Sequence, residues 1–351
     1  MALTKNELIE LARASAKASL NPSVTYSIGG ESLSAGALEK TYIDELNKLG
    51  KTPQDFRENK NLIYTLLEVG LTEVLPAKVM QSYGQFADVR TFAQGDKPVY
   101  KVRISEASKR RAKRFVTRVG LAGRYEVFKL DGYELTVPTA AFGGAYRLEW
   151  EELLDGRMTM NDYYSLVLEG MDEAIYKEIA KALVAMVTNI KATNKTVQTA
   201  FNETAMDQLL MTADAYGKST IYCTFEFAST MIPSNSSSWS DGMREQIWNN
   251  GYFTTYKGHQ VIILPQSFED ETNSKKVLDP SYCWIIPTGA EKPVKVAFEG
   301  SAQVKSFDNR DWSTELQTYQ KLGVATYINN PGICVYRNTT LIQTMPPLNQ
   351  G

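Results

Sequence analysis

Between residues 97 and 124 the chain carries ten basic side chains against one acid, Glu106. The ten are Lys97, Lys101, Arg103, Lys109, Arg110, Arg111, Lys113, Arg114, Arg118 and Arg124. A segment with nine surplus positive charges has no place in a compact core, because an unpaired charge is costly to take out of water. Its flanks alternate apolar and polar residues, Val99 to Ile104 on one side and Tyr125 to Leu130 on the other, the period of a half-buried strand. Asp131-Gly132 is a hairpin turn signal, and Tyr133 to Val137 supplies a returning strand. The pattern predicts an extended two-stranded arm with a basic run, Ser108 to Phe115, projecting from the body.

The rest of the chain holds 28 basic and 39 acidic groups, so an acidic body nearly cancels the arm and the 351 residues together stand at −2. Near neutrality argues against a generic nucleic-acid binder. With 43% hydrophobic and 22% charged residues, wholesale disorder is excluded as well. The length suggests two domains or one large elaborated one. A basic arm on an acidic body suits association between copies of the same chain.

Little in the inventory asks for catalysis. Cys223, Cys283 and Cys334 are far apart and odd in number, which predicts buried, reduced thiols and neither a disulfide framework nor a zinc site. The single histidine, His259, sits in a turn entering a strand, where a satisfied edge residue is the expectation. There is no nucleophile elbow, phosphate-binding loop, dinucleotide fingerprint or metalloprotease motif. Adjacent carboxylates such as Glu151-Glu152 and Glu269-Asp270-Glu271 read as solvated. The first twenty residues lack a long apolar stretch, so no secretory signal is expected, and no segment is apolar enough for a membrane span. Four glycosylation sequons, such as Asn194-Lys-Thr, then read as chance matches.

Residues 4–18 suggest a helix with a Thr4–Glu7 capping box and Leu8, Leu11 and Ala12 on its apolar side. A second helix is expected over 37–49, with Leu38, Tyr42, Ile43, Leu46 and Leu49 on one face, and a third from Pro53 to about Val69. The longest helical pattern spans 160–190 with Asn161 as its N-cap. Its apolar positions, Leu168, Met171, Ile175, Ile179, Ala182, Met186 and Ile190, step by three or four. Over 201–300 helices and strands alternate, as in a compact α/β domain. A helix is expected at 203–217 and another at 241–249, closed by Asn250-Gly251. A hairpin follows with its turn at Lys257-Gly258, then strands at 282–286 and 294–299. A long strand-like stretch, Trp312 to Ile328, and a short one, Gly332 to Tyr336, complete the chain.

This order, together with stretches such as Tyr146-Arg-Leu-Glu-Trp-Glu-Glu-Leu-Leu-Asp-Gly, Ile247-Trp-Asn-Asn-Gly-Tyr-Phe, Tyr256-Lys-Gly-His-Gln-Val-Ile-Ile-Leu-Pro and Trp284-Ile-Ile-Pro-Thr-Gly, resembles the major capsid protein of tailed bacteriophages, the Hong Kong 97-like fold. The resemblance covers nearly the whole chain and lies in architecture, not in invariant chemistry. It implies an α+β fold with an N-arm (1–50), a P-domain entry (51–90), an E-loop hairpin (91–140), a P-domain with a long spine helix (141–200), an α/β A-domain (201–310), a P-domain return strand (311–330) and an A-domain return with a C-terminal tail (331–351). It implies a structural protein, not an enzyme, that self-assembles into pentamers and hexamers of an icosahedral head around double-stranded DNA. No catalytic residue, cofactor or metal is assigned.

In this family the E-loop of one subunit lies across its neighbour. Lys109, Arg110, Arg111, Lys113, Arg114 and Arg118 are therefore the candidate inter-subunit residues of the loop, and Glu149, Glu151, Glu152, Asp155, Asp172 and Glu173 the candidate acids that meet them. A solvated basic face and contact with the packaged DNA are the alternatives for the same run. The other implied partners are a separate scaffolding protein, a portal and decoration proteins, with no membrane and no sequence-specific DNA contact. The implied location is the virion, with assembly in the bacterial cytoplasm. Two rival functions remain at this point: an encapsulin-type shell around enzyme cargo, which shares the fold, and an unrecognised α/β enzyme.

Overall fold

The computed structural model describes residues 4–20, 26–28, 31–102, 132–149, 151, 155, 157, 160–232, 240–288, 291–310 and 313–341. The chain divides into two compact units, one from residues 1–99, 136–176 and 295–325 and the other from 100–135, 177–294 and 326–351. Both mix helix and sheet, the α+β class expected from the sequence.

The first unit opens with α1 (Lys5–Leu20), a short hairpin of β1 (Tyr26–Ile28) and β2 (Glu31–Leu33), and α2 (Ala35–Leu49). The capping box forms as expected. Glu7 Oε2 accepts the Thr4 backbone N–H at 2.8 Å, and Thr4 Oγ1 accepts the Glu7 N–H at 3.4 Å. Next comes α3 (Pro53–Tyr83), whose N-cap Thr52 accepts the Asp55 N–H. Leu8, Leu11 and Ala12 of α1 and Leu38, Tyr42 and Leu46 of α2 share one apolar cluster with Phe56, Ile63, Leu66 and Leu67 of α3. The first two helices thus find their apolar partner in α3.

Helix α3 does not stop at Val69. It runs fourteen residues further, through Gly70 and Pro76, to 31 residues. Proline in a helix interior removes one hydrogen bond and crowds the preceding turn, a cost of about 3 kcal/mol. Burial of Leu71, Val74, Leu75, Val79 and Tyr83 at helical spacing opposes that cost.

The sheet of this unit has the order β3-β12-β13-β6, from β3 (Ala87–Phe92), β6 (Ala140–Leu148), β12 (Val294–Asp308) and β13 (Thr314–Thr326). Strand β12 does not end near residue 299 but runs to Asp308, and it pairs in this sheet between β3 and β13. Gly300, with φ 69°, breaks the local strand pattern, yet pairing continues beyond it. Strand β3 has only six residues against the fifteen of β12. Two β12 amides find acceptors on α3 instead: Ala302 N–H donates to Thr72 Oγ1 at 3.0 Å and Val304 N–H to Glu68 Oε1 at 2.9 Å.

Helix α4 (Met160–Asn189) takes in the first expected spine residues, but Asn161 lies inside it and is not its N-cap. Its residues to 176 count with the first unit and the remainder with the second. Met171, Ile175, Ile179, Met186 and the following Ile190 are buried, while Leu168 and Ala182 are partly so. At 30 residues α4 is one shorter than α3, which is the longer of the two.

The second unit is built on a six-stranded mixed sheet, order β7-β14-β11-β8-β10-β9. Its strands are β7 (Lys195–Gln198), β8 (Ser219–Cys223), β9 (Thr255–Tyr256), β10 (His259–Ile263), β11 (Tyr282–Pro287) and β14 (Cys334–Asn338). Helix α5 (Glu203–Asp214) packs on β11 and β14 through Met206, Leu209, Leu210 and Ala213. Tyr336 ties the start of α5 to the sheet, its Oη donating to Ala200 O and accepting the Asn202 N–H at 2.7 Å. Two further helices follow, α6 (Phe225–Thr230) and α7 (Asp241–Asn250). Gly251 closes α7 at φ 77° and Lys257-Gly258 turns between β9 and β10 at φ 47° and 88°, both as the sequence indicates.

Candidate subunit interface

The arm predicted from its basic run begins as a two-stranded sheet of β4 (Val99–Val102) and β5 (Tyr133–Thr136). Tyr100 and Val102 face inward, and Lys101 pairs with Glu134 at 3.6 Å, both exposed. Tyr133, still half-exposed, stacks on Tyr327 with ring centroids 4.7 Å apart. The basic residues beyond this sheet, Lys109, Arg110, Arg111, Lys113, Arg114 and Arg118, lie outside the described residues, as does the Asp131 half of the expected turn.

The candidate acids divide into three kinds. Glu149 and Glu151 are exposed just beyond β6. Asp155 is exposed and pairs with Arg157 at 3.1 Å, a surface pair two residues apart that a partner's arginine can displace at little cost. Asp172 is already engaged, with its carboxylate 2.8 Å from Lys78 of α3. Glu173 is exposed on α4, and Glu152 lies outside the described residues. Sequence adjacency hides this division, because the competing lysine sits on another helix.

The only histidine is clasped. His259 Nδ1 lies 3.0 Å from Ser219 Oγ and 3.2 Å from Ser219 O, and Nε2 lies 3.4 Å from Asp214 Oδ2. Ser219 donates its hydroxyl to Asp214 Oδ1 at 2.8 Å and its backbone N–H to the same oxygen. A serine whose proton is held by a carboxylate is not activated by an imidazole base. The trio instead fastens the parallel strands β8 and β10 to the end of α5. All three cysteines are buried in the sheet, and burial pushes the Cys334 thiol up to about 12 and Cys283 higher than an ordinary thiol. Among the described residues no three histidine, cysteine or acidic side chains gather as a metal site, and no helix is long and apolar enough to cross a membrane.

One surface feature escaped the sequence reading. Helix α7 buries none of its residues, and its Trp248 is 90% exposed. At its C-terminal end Gly251 abuts the ring of Phe225, itself 50% exposed and in edge contact with Tyr252. The signal was a tryptophan in a helix with too few apolar neighbours to form a stripe. Solvent-facing aromatics of this kind are typical anchors of protein contacts.

A family profile described as "SPbeta prophage-derived putative capsid protein YonB" matches residues 37–335. Among curated proteins, none matches the sequence. Solved structures with a similar trace include the capsid of the cyanophage P-SCSP1u, at 9% identity over 73% of this chain and 86% of that one, TM-score 0.49. The head of Helicobacter pylori bacteriophage KHP40 is similar at 14% identity over 74% and 90%, TM-score 0.47. The SrpI encapsulin of Synechococcus elongatus is similar at 12% identity over 70% and 84%, TM-score 0.41. The profile covers most of α2, both long helices and all of the two larger sheets but the end of β14, so the family assignment concerns the body of the molecule and not a single motif. The chain belongs to the YonB family of prophage-derived capsid proteins, and its role is that of a structural shell protein.

Proposed function

We propose that this chain is the major subunit of a tailed-phage-type head, forming pentamers and hexamers of an icosahedral shell around double-stranded DNA. The match of the capsid family across residues 37–335 carries this reading. Under it, residues 1–50 serve as the N-arm, 91–140 as the E-loop, α4 as the spine and the six-stranded unit as the A-domain. Closed shells need heterologous contacts, in which one surface meets a different one. An arm nine charges positive and a body eleven negative satisfy that need. Lys109, Arg110, Arg111, Lys113, Arg114 and Arg118 of one copy then meet Glu149, Glu151 and Asp155 of the next, with Glu152, Asp172 and Glu173 flanking. Each exposed pair contributes only about 0.2–1 kcal/mol, so the pairs act through number and register. Assembly takes place in the host cytoplasm with a separate scaffolding protein and a portal, and the product is the virion.

Electron microscopy of the purified chain, expressed with its neighbouring phage genes, is the test. Closed isometric particles holding nuclease-protected DNA are expected. Particles filled with an enzyme cargo and no DNA, or a chain that stays monomeric under every condition, would reject the reading.

A further inference from the structure

A cleft of about 290 Å³ lies in the first unit between the start of α3 and the connection from β12 to β13. Arg57 and Lys60 line it from the helix, and Asp308, Asn309 and Arg310 from the connection, with Phe56 as an apolar wall. Arg57, Lys60 and Arg310 thus line one space with a single carboxylate among the described lining residues. That carboxylate accepts the Thr314 hydroxyl at 3.2 Å and forms no ion pair with any of the three. Lys60 is drawn instead towards the Tyr64 ring, 6.0 Å from its centroid. Several other cations of this unit do have acidic partners: Lys78 holds Asp172, Lys295 and Arg90 share Asp88, and Lys321 reaches Glu299. Like charges held together around a cavity repel one another unless an anion enters between them. Two guanidinium groups present the planar fork that matches a carboxylate or phosphate with two parallel hydrogen bonds.

We propose that the Arg57–Lys60–Arg310 cleft is an oxyanion site, filled in the assembled shell by a side-chain carboxylate from a neighbouring copy. The cleft has room for an oxyanion group together with the side chain that carries it, and Asp308 at the lining opposes a continuous run of phosphates. The body of every copy has eleven more acids than bases to offer. The occupant rests on the proposed shell function, whereas the oxyanion site does not.

The experiment uses the full chain and inorganic phosphate as probe, titrated calorimetrically against unassembled protein at constant ionic strength. Arg57→Gln/Arg310→Gln removes both forks from side chains that are exposed and outside the apolar cluster, and the single Arg310→Gln variant guards against misfolding. Phosphate binding is expected to weaken at least about tenfold in the double variant, since hydrogen bonds to charged groups are lost. Equal binding by wild type and both variants, or no binding by wild type, overturns the oxyanion site. Assembled wild-type particles are expected to bind phosphate far more weakly than the free chain, because a neighbour already fills the cleft. Particles that bind it as well as the free chain overturn the carboxylate occupant. A wild-type chain that forms no particles overturns that occupant and the shell function together, while the titration still decides the site itself.

Discussion

Lys295 is fully buried, and its ammonium lies 3.1 Å from Asp88, which Arg90 also holds at 2.9 Å. Burial alone would raise the Asp88 carboxyl, but Arg90 and Lys295 outweigh it and hold the group below its ordinary value. Glu299 is also lowered, chiefly by the Thr139 hydroxyl and the Gly95 N–H. Both groups bind their proton more weakly folded than unfolded. The stability they add is therefore complete above the unfolded carboxyl values of about 4 and is lost as pH falls through the lower folded ones. Asp88→Asn takes this carboxylate away from a buried ammonium, and a loss of up to about 3–5 kcal/mol is expected. Urea denaturation at pH 7 measures it. Repeated below the folded carboxyl values, where wild type has lost the same charge, the gap between the two proteins narrows. None of this was legible in the sequence, because residues 88 and 295 meet only through the pairing of β3 with β12.

At the scale of elements, what the sequence revealed was local. The Thr4–Glu7 box, the Gly251 terminator and the Lys257-Gly258 turn each depend on a few neighbouring residues, and each forms as read. The ends of α3 and β12 were misread for the opposite reason. Gly70 and Pro76 punctuate one and Gly300 the other, yet long-range packing and pairing carry both elements past their breakers. The Gly251 terminator gives a prediction at this scale. A Cβ there would sit 2.8 Å from the Phe225 ring at a backbone angle that side chains rarely adopt. Gly251→Ala should cost about 1–2 kcal/mol from the left-handed conformation alone, read as a lower urea midpoint. Unchanged stability would mean that α7 ends in another way.

At the scale of the whole molecule, the charge contrast between residues 97–124 and the rest was legible from composition, because charge counting needs no structure. The pairing within the body was not. Asp172 looks in sequence like a spare acid and is neutralised by Lys78. Arg110→Glu/Arg111→Glu/Arg114→Glu reverses three charges of the basic run. Light scattering is expected to show a folded, unassembled chain, with far-ultraviolet circular dichroism unchanged. A compensating reversal of Glu149, Glu151 and Asp155 to lysine should restore part of the assembly. Normal shells from the first variant would exclude the arm as a source of register.

The contrast between two tryptophans also makes the protein its own optical reporter. Trp284 is completely buried in the central strand of the six-stranded sheet, and Trp248 stands 90% in water on α7. Iodide reaches an indole in water and not one inside a sheet, so Trp248→Phe should remove a quenchable, red-shifted share of the emission and leave the Trp284 share untouched. A shell contact formed over α7 would then appear, during assembly and without any label, as light that iodide no longer extinguishes.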